Sequence, residues 1–169
     1  MSRASLPVFE IGSNALSGLL DGAEAHAGAR QIGPAALLNA RLLPDLFAFT
    51  RQAQIVCDLA KSGGARRAGI EAPKCEDNER ALADLRARAG KTLALVKRLD
   101  AGAIDAAGER QSAFPPGRQN TALMRGADYL NHLLPNFYLH LSAASGILRL
   151  SGVEVGKRDY LGAIPMVVA

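Results

Sequence analysis

Three side chains that can bind a metal or move a proton, His132, Asn136 and His140, follow one another at intervals of four residues. On a helix that spacing sets them in a row along one face. A neutral imidazole is a good ligand for zinc or nickel, and near neutral pH it also serves as acid or base. The two histidines stand about 12 Å apart along a straight helix, too far to share one ion. A single metal therefore takes Asn136 with either His140 or His132 and completes its shell from another helix, where Asp45 is the natural candidate. The expected ligand set is His140, Asn136 and Asp45, with His132 as general acid or base. The plain alternative makes both histidines hydrogen-bonded residues at the edge of a core.

A second group, Asn39, Arg41, Asp45 and Gln52, clusters around the expected start of the second long helix. Arg41 has the fork geometry to hold a carboxylate or phosphate, and Asp45 could orient it or act as base. Arg41 and Asp45 could equally pair with each other, and Asp45 could serve as a first-turn acid. Gln52 projects from an apolar face and needs a partner, either a neighbouring backbone group or a ligand. No nucleophile elbow, phosphate-binding loop, dinucleotide fingerprint or HExxH pair occurs, so the usual motif support for those enzyme classes is absent.

The histidine row requires a helix beneath it. Leu130, Leu133, Leu134, Phe137, Leu141, Ala144 and Leu148 recur at helical spacing over Tyr129–Leu150, with Asn131, Ser142, Ser145 and Arg149 opposite. Pro135 removes one ladder bond inside it, and Gly152 ends it. Upstream, a first helix is expected from Ser5, with Pro7 in its first turn, to about Ala27. PAALLNAR, residues 34–41, predicts a short helical turn, and a second long helix is expected from Pro44 to Gly69. That helix turns Leu46, Phe49, Ala53, Val56 and Ala60 inward and Arg51, Gln54, Asp58 and Lys61 to water. A third, from Asp77, buries Leu82, Leu85, Ala89 and Val96 and exposes Glu79, Arg86 and Arg88. A PPG turn at residues 115–117 predicts a small hairpin before the last helix.

With 169 residues, of which 49% are hydrophobic and 21% charged, the chain is expected to form one domain over residues 1–169. Abundant Ala and Leu and the absence of Trp favour helices. The net charge is +4, but its basic residues are interleaved with acids, which argues against nucleic-acid binding. No run reaches about 18 uninterrupted apolar residues, so no membrane span is expected. Cys57 and Cys75 make neither a CxxC pair nor a disulfide framework, and free thiols in the cytoplasm are expected.

Residues 37–61, LLNARLLPDLFAFTRQAQIVCDLAK, and residues 130–162, LNHLLPNFYLHLSAASGILRLSGVEVGKRDYLG, resemble a bacterial family of unknown function grouped with the DinB/YfiT-like metalloenzymes. The resemblance spans nearly the whole chain. It implies an all-α, up-and-down four-helix bundle, often dimeric, with a metal or ligand site in a cleft between helices. In better understood members of the superfamily, one histidine from the second helix and an HxxxH pair on the fourth bind a divalent metal, and some members are metal-dependent thiol transferases. Here the HxxxH positions fall on Asn136 and His140, and the second long helix carries no histidine. The reading is a cytoplasmic DinB-like homodimer, a divergent metal-dependent enzyme of transferase or hydrolase type holding one zinc or nickel ion. Its alternatives are a non-catalytic bundle that binds a small anionic ligand through Arg41, and a purely structural dimer.

Overall fold

The computed structural model describes residues 1–108, 110–114 and 122–162. In chain order it has helices α1 (Ser2–Arg30), α2 (Pro34–Leu38), α3 (Phe49–Ala68), α4 (Leu82–Arg98) and α5 (Ala101–Ala106), strands β1 (Gln111–Phe114) and β2 (Ala122–Arg125), and helices α6 (Gly126–Leu150) and α7 (Lys157–Leu161). The four long helices bury their apolar stripes against one another: α1 packs on α4 and α6, and α3 packs on α6 and α4. Phe9, Leu16, Leu19, Val56, Leu85, Phe137 and Leu141 form the centre of the core. Phe9 meets Phe137 edge to face, with ring centroids 5.5 Å apart, a geometry that pairs ring edge with ring face favourably.

Two glycines set how closely the helices approach. A Cβ on Gly12 would lie 2.4 Å from the Phe137 ring, and one on Gly63 would lie 2.3 Å from Leu133 Cδ2. Both positions therefore seat an α6 side chain against bare backbone. At the end of α3, Gly69 adopts φ 76°, a left-handed cap that a residue with a Cβ rarely accepts.

The first helix starts three residues before its expected cap. Asp105 of α5 accepts hydrogen bonds from the Met1 ammonium (2.7 Å), the Ser2 N–H (2.8 Å) and the Ser2 hydroxyl (2.6 Å). A long-range carboxylate thus caps the donors of α1, a partner that local pattern does not reveal. The second long helix begins at Phe49 instead of Pro44. Residues 39–48 are irregular because Arg41 donates to the Leu46 carbonyl at 2.5 Å and the Phe49 N–H to the Ala40 carbonyl at 2.9 Å. Those bonds fold the segment back on itself, leaving Leu46 39% exposed and removing Asp45 from any helix.

The antiparallel pairing of β1 with β2, with Gln111 opposite Arg125, gives the expected hairpin, while its PPG turn lies outside the described residues. Helix α6 runs through Pro135 without interruption. The stretch Ala101–Ala106, weakly patterned in sequence, is helical because the Asp100 side chain caps it. The apolar stretch after Gly162 lies outside the described residues.

Three charged or polar positions expected in water are buried. Gln54, Lys61 and Arg88 are 4%, 6% and 3% exposed. Arg88 donates to Glu79 at 2.7 Å, Asp58 at 2.8 Å and Asp77 at 3.0 Å, and Lys61 bridges to Asp58 at 3.0 Å. The loop after α3 brings Asp77 and Glu79 to Arg88 and Glu79 to the Gln54 amide, while Asp58 of α3 itself pairs with Lys61, so both charges are satisfied out of water.

Candidate functional site

Helices α3 and α6 border a groove of about 710 Å³. From α3 it takes Arg51, Asp58, Ser62 and Arg66, which recur at helical spacing on one face. Helix α6 supplies Tyr129, His132 and Asn136, and Ile55, Leu59 and Leu139 give the groove an apolar flank. Arg51 and Arg66 stand fifteen residues apart, about 22 Å along the helix, so the groove is elongated with a guanidinium towards each end.

The two arginines differ in their commitments. Arg51 bonds Asp77 at 2.5 Å and the Gln54 carbonyl oxygen at 3.1 Å. Arg66 reaches the hydroxyl of buried Tyr129 at 3.4 Å and has no carboxylate partner among the described residues. The groove's acid, Asp58, is already held by Arg88 and Lys61. Of the groove's two guanidiniums, Arg51 thus has a carboxylate partner and Arg66 has none among the described residues.

Farther along α6, His140 Nδ1 lies 2.6 Å from Gln52 Oε1, and Gln52 Nε2 donates to the Phe47 carbonyl at 3.2 Å. Because the Gln52 oxygen is the acceptor, Nδ1 carries the imidazole proton and Nε2 keeps its lone pair. Phe47 stacks on this ring at a centroid distance of 6.5 Å. Burial, with a contribution from the Arg51 charge, pulls His140 below its ordinary value and keeps the ring neutral at pH 7.

Of the residues singled out in the sequence, His132 and Asn136 line the groove and Gln52 and His140 bond each other beside it. Asn39, Arg41 and Asp45 are exposed in the segment between α2 and α3, where the Arg41 guanidinium closes its own loop. A divalent metal needs several converging donors, yet among the described residues no three His, Cys, Asp or Glu side chains converge to hold an ion. The proton on His140 Nδ1 also occupies one of its two ligand positions. These donors do not fit the three-ligand centre that the family resemblance implies. Sequence reasoning missed Arg51, Asp58, Arg66 and Tyr129 as groove residues. The polar positions 51, 58, 62 and 66 share one face of α3, and that recurrence was the available signal.

Mostly helical chains with a polar groove between two long helices form the structural class to which this molecule belongs. Residues 1–161 match the family described as Domain of unknown function (DUF1993), and the chain belongs to that family. It is similar to a solved structure described as a DinB family member protein from Shewanella denitrificans. The two share 37% identity over 99% of this chain and 95% of that one, with a TM-score of 0.89. Among curated proteins, none matches. The DinB-like membership that residues 37–61 and 130–162 suggested is thereby shown.

Proposed function

We propose that this DinB-like protein binds a small, elongated anionic molecule in the α3–α6 groove. The observation that carries the reading is Arg66, a guanidinium on the groove wall with no carboxylate partner among the described residues. A carboxylate or phosphate ester supplies that partner in bidentate form. Ile55, Leu59 and Leu139 suit an apolar body, and His132 and Asn136 supply polar contacts along it. The anion site expected at Arg41 moves in this reading to Arg66.

The enzymatic form of the proposal gives His132 the role of general acid or base on the bound molecule. A zinc or nickel ion on His140, Asn136 and Asp45 remains the metal-dependent form, with the donor set against it. The rest of the reading is a single domain over residues 1–169, helices in up-and-down order, homodimeric and cytoplasmic; no helix among the described residues is long and apolar enough to cross a membrane.

The test is thermal unfolding against carboxylates and phosphate esters, with calorimetry on any hit. A true ligand at about one hundred times its Kd adds roughly 2.7 kcal/mol of stability. The expected outcome is stabilisation that disappears in Arg66→Ala and weakens in His132→Ala, with no effect of EDTA. If no anion stabilises the protein in an Arg66-dependent manner, the groove reading is wrong. Stabilisation by zinc or nickel that is lost in His140→Ala would favour the metal-dependent form instead.

A further inference from the structure

The segment between α3 and α4, residues 69–81, borders a second cavity of about 640 Å³ whose wall includes Lys61, Lys74, Cys75, Arg88 and Lys91. The carboxylates on its wall already accept hydrogen bonds. Glu79 accepts from Arg88 and Gln54, both at 2.7 Å. Asp84 accepts the backbone N–H groups of Arg80 and Ala81 at 2.9 Å, and Glu76 accepts from Asn78 at 3.0 Å.

The lysines are not committed in the same way. Lys74 and Lys91 have no ion-pair partner among the described residues. Lys61 is 6% exposed and lines the cavity, yet its partner Asp58 is shared with Arg88. Its ammonium has three N–H donors. Asp58 takes one of them at 3.0 Å, and Cys75 lies on the same wall. Lys61 keeps its ion pair, and with Lys74 and Lys91 it gives this wall three ammonium groups, a charge that an oxyanion in the cavity complements.

We propose that this cavity is a second ligand site, separate from the α3–α6 groove, that takes a small oxyanion of the carboxylate or phosphate class on Lys61, Lys74 and Lys91. The exposed Cys75 thiol on the same wall reports occupancy, because a bound anion covers it, while buried Cys57 serves as internal reference.

The experiment follows alkylation of Cys75 by neutral iodoacetamide, read by peptide mass spectrometry, as inorganic phosphate or citrate is added at constant ionic strength with sodium chloride. The expected result is a saturable, several-fold slowing with at least one of the two anions. That protection should vanish in Lys74→Ala/Lys91→Ala, whose exposed positions leave the core untouched. It should persist in Arg66→Ala, which separates this site from the groove. Slowing no greater than sodium chloride produces, or equal slowing in the double variant, overturns the proposal.

Discussion

Replacing Arg88 with methionine tests the physical account of this fold most directly. Methionine keeps much of the side-chain volume, so the change is electrical and leaves little cavity. Three acids lose a partner. Asp58 and Asp77 have side chains 36% and 44% exposed, and they retain Lys61 and Arg51 respectively. Glu79 is 8% exposed and keeps the amide of Gln54 and a backbone N–H but no other cation among the described residues. The cost therefore concentrates on Glu79. Stranding one charge of a buried pair costs about 3–5 kcal/mol, and the lower end applies because Glu79 sits near the surface loop.

The effect must depend on pH with a definite sign. Burial pushes the Asp77 and Glu79 carboxyls up, but hydrogen bonds from Arg88, with help from Arg51 and Gln54, outweigh it and hold both below the usual range. A depressed native value gives stability that is complete above the unfolded value, about 4, and is lost as pH falls through the native value. The gap between wild type and Arg88→Met should be about 3 kcal/mol near pH 7 and shrink below about pH 4.5. Urea unfolding followed by circular dichroism at both pH values measures it. Glu79→Gln added to Arg88→Met should recover part of the loss, since no charge is then stranded. A gap under about 1 kcal/mol at neutral pH, or one that does not change with pH, would refute this account.

Two further outcomes follow from the packing and the imidazole. Gly63→Ala should destabilise by about 1–3 kcal/mol, because the new methyl drives into Leu133, and the penalty should shrink in a Leu133→Ala background. Additive losses in that double-mutant cycle would show that the close approach is not what constrains residue 63. In an NMR titration, His140 should lose its proton below the ordinary histidine value, and Arg51→Ala should move the midpoint upward. Its lowered value means that the neutral ring stabilises the fold above about pH 6.5 and that this contribution fades as pH falls. An unmoved midpoint in Arg51→Ala would remove Arg51 as a cause.

The long helices were legible because their apolar residues recur at intervals of three and four, and Phe137, Leu141 and Val56 are buried as that pattern requires. The start of α1 was not, since its cap comes from Asp105, more than a hundred residues away in the chain. Periodicity also misread Arg88, because a loop with no periodic pattern carries Asp77 and Glu79, and it misread Lys61, which pairs with Asp58 of its own helix. At the candidate site, His132 and Asn136, set on one face by their spacing of four, both line the groove. Asp45 lies outside the helix on which it was counted, because the bond from Arg41 to Leu46 folds its segment into a loop. Arg66 carries no local signal of its contact with Tyr129, because that residue comes from another helix.

Asp58 lines the α3–α6 groove, while the two cations that hold it, Lys61 and Arg88, line the cavity on the α4 side. The two compartments thus share one carboxylate as a common wall. A ligand that draws Lys61 away from Asp58 in one compartment releases negative charge into the other and lowers its affinity for an anion. Thermodynamic reciprocity then requires the second ligand to weaken the first by the same factor. Helix α3 would in that case work as a balance beam, with occupancy on one side registered as repulsion on the other.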